Sequence, residues 1–572
     1  MTAVPIVPCR FAIVLAVIGF VANTGTDAKH LYGTPRYLPA EENAPYWQDK
    51  QQAALLKTLF KKPNFNKAKN VIFFLGDGMS LTTVSTSRIY KGQLKGSPGE
   101  EGSLFFDDFP NTGLVKTYCV DSQVADSACS ATAYWTGVKG NIKTIGVTGA
   151  VKREGSCSAI DDANSPASLL DWAQNSGKAT GIVTTTTVTH ASPAGGYAHV
   201  INRNMESDAE VVRLHKNPKE CVDIAQQLML NAPGKNLNVI MGGGRANFYP
   251  IDAENESGTK GKRRDGKNLI DSWIESKKST GKSKFVWNRE QLLSADLNNT
   301  DYLLGLFANE HLMFYQLANK TVQPSLEEMT ASAIEVLQRN PNGFFLFVEG
   351  GLIDQAHHKT MARLALDETV EFDKAVEKAY KMTNPEETLI IVTADHAHTL
   401  SFSGYPSRGS DILGVAGRSS IDKMPYLTLG YSNGPNYRRH NISVDSNDIH
   451  SANYTYPAGV PMASETHGGE DVPIYASGPW SHLFSKTIDQ IQIPGALAFA
   501  ACIGSGPTAC DPELQEVQKS ISPPIPPAKC PQRAVSPSEI PLLPIPLQIP
   551  VQYPVYTQPA GSDDSGVAGK IV

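Results

Sequence analysis

Five short apolar runs constrain the fold of this chain more than any other feature: residues 71–75, 181–186, 237–241, 344–348 and 389–392. Each is too short for a packed helix and apolar on both faces, so each reads as a strand buried on both sides. Helix-like stretches lie between them, at residues 167–175, 221–231, 325–338 and 363–382. The first has Ser165 and Pro166 just ahead of it, read as N-cap and first-turn residues. Strand and helix in alternation predict an α/β fold, a three-layer αβα sandwich with a large, mostly parallel central sheet. Ligands of such sheets bind beyond the carboxyl ends of the strands.

Those ends carry the chemistry. Run 71–75 is followed by Gly76-Asp77-Gly78, and run 181–186 leads to His190 and Ser192. Run 344–348 ends in Glu349-Gly350-Gly351, and run 389–392 in Thr393-Ala394-Asp395-His396. One Asp at a strand end is an ordinary turn former. Four strand ends that bring carboxylate and imidazole together predict one metal-bearing site. Asp354 and His358, spaced i and i+4, share one face of a helix, and His467 stands in Glu465-Thr466-His467-Gly468-Gly469. Carboxylate and imidazole without thiolate suit catalytic zinc, while the oxygen donors Asp77, Ser192 and Glu349 suit magnesium.

Ser127, in the small-residue string Asp126-Ser127-Ala128-Cys129, is the candidate nucleophile. A serine at a helix N-terminus meets free N–H groups and the positive end of the dipole, which favour an anion. No Gly-x-Ser-x-Gly elbow surrounds it, so activation by metal is expected rather than by a side-chain base. Taken singly, Ser127 reads as a helix cap and any one histidine as a structural residue; the constellation argues otherwise.

The net charge of −6 over 572 residues leaves no broad basic surface for nucleic acid. Residues 1–28 read as an export signal, with Arg10 ahead of an apolar run at 11–21. A secreted, extracellular protein is expected, with disulfides. Seven cysteines follow the signal (Cys119, Cys129, Cys157, Cys221, Cys502, Cys510 and Cys530), so at least one is free or pairs with another chain. Glycosylation sequons begin at Asn255, Asn298, Asn319, Asn441 and Asn453. Residues 29–65 form a helical arm whose stretch 41–60 reads as an amphipathic helix, packed on a partner subunit or on its own domain. Residues 66–400 and 465–512 form the core, and 401–464, rich in Gly, Ser, Tyr, Asn and Pro, an irregular insertion on the active-site side. Residues 513–572 are a Pro-rich tail without packed structure, lacking the terminal hydrophobic stretch of a lipid-anchor signal. No clear membrane anchor is therefore expected.

From about residue 41 to 512 the chain resembles animal, insect-like alkaline phosphatases. The resemblance rests on Leu75-Gly76-Asp77-Gly78-Met79, Asp126-Ser127-Ala128, His190-Ala191-Ser192-Pro193-Ala194-Gly195, Asn202-Arg203-Asn204, Val348-Glu349-Gly350-Gly351, Thr393-Ala394-Asp395-His396 and Glu465-Thr466-His467, in family order. It implies hydrolysis of small phosphate monoesters at alkaline pH through a phosphoserine on Ser127, in a homodimer. It implies two zinc ions, one held by Asp354, His358 and His467, the other by Asp77, Asp395 and His396. Asp77, Ser192 and Glu349 would hold one magnesium, with His190 beside it, and Arg203 would clamp the phosphate. The family disulfides fall at Cys157–Cys221 and Cys502–Cys510, leaving Cys530 without a partner. Cys129 is read as a buried free thiol in preference to a partner of Cys119. The region 401–464 corresponds to a small crown-like domain. A family calcium site falls where this chain has Ala308 and Gln323, so calcium is not expected. Leu352 and Gln355 replace the Arg and His common beside Asp354, which predicts an altered pH optimum or turnover. Phosphodiesterases of the same superfamily generally lack the magnesium cluster and the arginine clamp. An inactive binding protein on this scaffold would have lost a ligand or the nucleophile, and none is lost here.

Overall fold

A computed structural model describes residues 38–59, 61–437, 446–514 and 516. The export signal, the sequon at Asn441, Cys530 and nearly all of the Pro-rich tail lie outside the described residues.

The five apolar runs are strands of one ten-stranded sheet. In chain order its strands are β1 (Asn70–Gly76), β2 (Asn111–Lys116), β3 (Ala179–Thr187), β4 (Val239–Gly243), β5 (Ser283–Val286), β6 (Tyr302–Leu306), β7 (Phe344–Gly350), β8 (Thr388–Thr393), β9 (Val472–Ser477) and β10 (Thr487–Asp489). Across the sheet they run β10-β2-β9-β8-β1-β7-β3-β4-β6-β5. Pairing is parallel except for β9, which lies antiparallel to both β2 and β8. Every residue of β1, β3, β7 and β8 is buried. Helices cover both faces, and this removes the alternation of polar and apolar residues that marks a half-exposed strand. Phe372 of the helix Ala362–Met382 packs edge-on against Phe74 of β1, ring centroids 5.7 Å apart. A buried phenylalanine of this kind stabilises by about 1.5–3 kcal/mol.

The helix expected at 167–175 starts later, as Leu169–Asn175. Its cap is Ser168, not Ser165. The Ser168 hydroxyl accepts from the N–H groups of Leu170 and Asp171, while Asp171 accepts from the Ser168 N–H. Reciprocal capping of that kind outcompetes a Ser-Pro pair three residues upstream.

The arm helix spans Ala44–Leu59 and buries none of its residues against its own chain. Trp47, Leu55, Leu56 and Leu59 are each about half exposed or more. Ion pairs tie the segment down at two points, Lys57 to Asp108 and Glu41 to Arg408.

The insertion is more regular than its composition predicts. Leu400–Phe402, Leu429–Gly434 and Ala458–Pro461 form a three-stranded sheet, and Val415–Arg418 pairs with Pro425–Leu427. A small core of its own, with Leu400, Leu413, Leu429, Tyr431 and Tyr456, packs on Leu366 and Val370 of the long helix.

Disulfides join Cys157 to Cys221, Cys502 to Cys510, and Cys119 to Cys129, the last with Cα atoms 5.7 Å apart. Cys129 is therefore not the buried free thiol expected: Cys119, in the loop before the Ser127 helix, is carried onto its first turn. The sequons also separate. Asn298, Asn319 and Asn453 are exposed, but Asn255 is buried and its amide nitrogen donates to Asn309 at 2.8 Å. Asn255 thus presents its sequon less openly than the other three.

Candidate active site

Asp77, Glu349, Asp395 and His396 follow or end three adjacent strands, β1, β7 and β8, and all are fully buried. Gly78 permits the close approach: its φ of +68° suits glycine, and a Cβ there would lie 2.3 Å from the His398 ring. Its N–H donates to Asp395 Oδ1 at 3.0 Å. Ser127 is the first residue of the helix Ser127–Thr136, with Asp126 as N-cap accepting from the Cys129 N–H. The Ser127 hydroxyl is buried at the positive end of that helix and lies 3.1 Å from His396 Nε2.

That nitrogen decides the chemistry. Asp395 Oδ2 lies 3.1 Å from the same His396 Nε2, and Asp77 Oδ1 3.4 Å from it. In a Ser-His-Asp triad the carboxylate holds Nδ1 and leaves Nε2 to the serine. Here Nδ1 faces the Ala397 carbonyl, so serine and both carboxylates converge on one nitrogen. One nitrogen cannot serve three partners through one proton, whereas a cation among them can.

Among the described residues, ligand-type side chains form groups whose donor atoms lie within 4.8 Å of one another, and three of these belong to the site: Asp77, Asp395 and His396; Asp354, His358, His398 and His467; and Asp77, His190 and Glu349. A further group contains Cys119 and Cys129, which are disulfide-bonded. The helix Leu352–His358 places Asp354 and His358 on one face, as their spacing predicts, and His467 reaches them across 3.4 and 3.2 Å. Ser192 joins the third group through its hydroxyl, 3.5 Å from Asp77 Oδ2. Asp77 Oδ1, Asp395 Oδ2, Glu349 Oε1 and His190 Nδ1 are buried without a hydrogen bond. Burial, with neighbouring carboxylates adding to it, holds Asp77 and Asp395 above the usual carboxylate range, and burial pushes Glu349 up to about 7. Burial also drives His396 and His190 well below an ordinary imidazole. For Asp354 burial acts upward too, but His358, His398 and His467 together draw it well below its usual value. Orphaned carboxylate oxygens facing neutral imidazoles fit divalent cations, which would satisfy both at once.

Two residues of the site escaped the sequence reading. His398 Nε2 lies 2.7 Å from Asp354 Oδ1, and its Nδ1 lies 2.5 Å from Glu465 Oε2. Burial alone would lower His398, but these two carboxylates hold it up near 10. Glu465, His398 and Asp354 thus form a chain that orients a ligand carboxylate. The signal was the string Asp395-His396-Ala397-His398, where alternation past a strand end brings a second histidine back toward the site. Gln355, the neutral replacement, donates to Asp354 Oδ2 at 3.0 Å.

Arg203 donates to Asp126 Oδ2 and reaches His190 Nε2, both at 3.0 Å. With Ser127, His190, Asp354, His358 and His467 it lines an open cavity of about 920 Å³. Groups of metal-ligand type, a serine at a helix N-terminus and a fixed guanidinium beyond the strand ends of an α/β sandwich define the class of metal-dependent hydrolases of anionic esters.

The comparisons narrow that class. The family described as alkaline phosphatase matches residues 68–503. The chain is 45% identical over 482 residues to the membrane-bound alkaline phosphatase of Bombyx mori, covering 82% of this chain and 88% of that one. To the human tissue-nonspecific isozyme of alkaline phosphatase it is 44% identical, covering 84% and 93%. The Thermus thermophilus alkaline phosphatase structure shares the fold, with a TM-score of 0.56 at 21% identity and coverage of 81% and 98%. The chain belongs to the alkaline phosphatase family, and it hydrolyses phosphate monoesters.

Proposed function

We propose that this reaction runs at alkaline pH through a phosphoserine on Ser127, at a site of two zinc ions and one magnesium. Asp354, His358 and His467 would hold one zinc, Asp77, Asp395 and His396 the other, and Asp77, Ser192 and Glu349 magnesium, with His190 beside it. Zinc, when bound, supplies Lewis acidity and can lower the pKa of water from about 15.7 to about 7. The convergence of Ser127, Asp77 and Asp395 on the single nitrogen His396 Nε2 is the observation that carries this reading.

The residues of the chain do the rest. Arg203 grips two phosphoryl oxygens with its fork, and Asp126 fixes the guanidinium plane. The Ser127 oxygen attacks phosphorus, the P–O bond to the alcohol breaks, and the alcohol leaves with a proton. Water then cleaves the seryl ester, releasing phosphate and restoring the hydroxyl. The N–H groups at the start of the Ser127 helix favour the charged oxygens in both halves.

We further propose a secreted or cell-surface homodimer, glycosylated at Asn298, Asn319 and Asn453. The half-exposed leucines of the arm helix support a second subunit as its packing partner. Among the described residues no helix is long and apolar enough to cross a membrane. Calcium is left out of the proposal, because Gln323 commits both polar atoms of its amide to the backbone of Met313.

The test is turnover of an aryl phosphomonoester across pH by native protein and Ser127→Ala, with metals chelated and then restored. We expect alkaline activity that needs zinc and magnesium, phosphate trapped on Ser127 after acid quench, and loss of both in the variant. A variant that keeps native activity would refute the serine mechanism.

A further inference from the structure

The active-site cavity holds one carboxylate with an uncommitted oxygen. Four acidic side chains line the cavity: Asp126, Glu206, Asp354 and Glu465. Asp126 is committed to Arg203 and to the N–H groups of Cys129 and Lys143. Asp354 belongs to a metal cluster, and Glu465 spends both oxygens on His398 and Thr399. Glu206 differs. All its donors converge on Oε2: the hydroxyls of Thr187 at 2.8 Å and Thr189 at 2.5 Å, and the Asn247 amide at 3.2 Å. These three hold the carboxylate in place and, among the described residues, leave Oε1 without a hydrogen bond.

His311 lines the same part of the wall. Its Nδ1 accepts from the Thr187 N–H at 2.9 Å, so the neutral ring carries its proton on Nε2, which has no hydrogen-bond partner among the described residues. The His311 ring stands edge to face on His190, centroids 5.3 Å apart. Glu206 also follows Arg203 by three residues, so their Cα atoms are at most about 11 Å apart. The carboxylate and the imidazole thus line the same cavity as the phosphate clamp.

We propose that Glu206 and His311 form a leaving-group subsite for phosphomonoesters whose alcohol carries a cationic amine. The ammonium meets Glu206 Oε1, and His311 Nε2–H donates to any oxygen on the linker. The subsite rests on the phosphatase reading and deepens it, since it sorts substrates by their alcohol while Arg203 treats every phosphate alike. The chemistry is unchanged: the same P–O bond breaks, and the amine stays protonated below its pKa near 10.

The experiment compares kcat/KM for 3-aminopropyl phosphate and butyl phosphate, chains of equal length that differ by ammonium for methyl. It uses the full chain loaded with zinc and magnesium at about pH 8. The amine ester is expected to be preferred, and the preference to fall roughly two- to fivefold in Glu206→Gln, as for a partly exposed ion pair. Raising the salt concentration should erode the preference in the native enzyme, a readout that survives if the variant misfolds. Equal changes for both esters in Glu206→Gln would make Glu206 a support for Thr189 and His190 and overturn the subsite. So would a native preference that is absent or indifferent to salt. If the native enzyme hydrolyses neither ester, the phosphatase reading itself falls.

Discussion

His398 shows how one residue acts on the site through another. It lies between Glu465 and Asp354, and both ring nitrogens are spent on carboxylates. Replacing a residue that orients a metal ligand typically costs 10–100-fold in metal affinity. His398→Ala should therefore lose metal to a competing chelator at about that factor lower chelator concentration, measured by metal release from the folded protein. Arg203 makes the complementary case. Its guanidinium is already aligned by Asp126 and His190, so little ordering is needed when phosphate binds. Arg203→Lys keeps the charge and loses the fork. Loss of one charge-assisted hydrogen bond is worth about 1.5–3 kcal/mol, so inhibition by inorganic phosphate should weaken roughly 10–100-fold.

One buried cation pins the loops around the start of the helix Ile224–Leu230. Arg263 is fully buried and forks onto Asp223, the N-cap of the helix Ile224–Leu230, at 3.0 Å for each oxygen. It also donates to Asp265 at 3.1 and 2.7 Å and to the Asn247 carbonyl at 3.4 Å, and it lies 3.8 Å from Asp208. Removing one member of a buried ionic group leaves the others without a counter-charge and costs about 3–5 kcal/mol. Arg263→Met should lower the urea midpoint accordingly, while Asp265→Asn, on a more exposed partner, should cost less. The arm helix yields a prediction of the opposite kind. Because Leu55, Leu56 and Leu59 are exposed on the single chain, changing all three to Asp should leave its folded core intact. The variant should sediment as a monomer, and the native protein as the proposed dimer.

At the scale of the whole molecule, one lysine joins three strands at the end of the sheet away from the site. Lys178, just before β3, is 6% exposed and donates to the carbonyls of Lys69 before β1 and Asn342 before β7. Burial, with Lys67 and Lys69 nearby, lowers it from 10.5 to about 8. Below pH 8 the folded state bears the full penalty of the buried charge. Between about 8 and 10.5 the unfolded chain binds more protons than the folded one, so this group makes stability rise with pH across that window. The gain is on the order of 2 kcal/mol after discounting for solvent, and it should disappear in Lys178→Met when denaturant midpoints are compared at pH 8 and 10. The protein thus gains stability from this residue toward the pH at which it is proposed to work.

The central strands and most of the side chains proposed as ligands were legible in the sequence alone. Apolar runs such as 344–348 have no solvent-facing side to confuse the pattern, and Asp77, Glu349, Asp395 and His396 follow such runs directly. Strands at or next to the sheet edges were not legible in this way. β2 and β5 are partly exposed and mixed in composition, and only pairing with a neighbour makes them strands. The same holds for the Cys119–Cys129 bond, the burial of Asn255, and the roles of His398 and Glu206. Each depends on which residue distant in sequence, or which side of a cavity, a chain segment meets once the sheet has closed. Local periodicity records whether a segment will be buried; it carries no information about the partner it will be buried against.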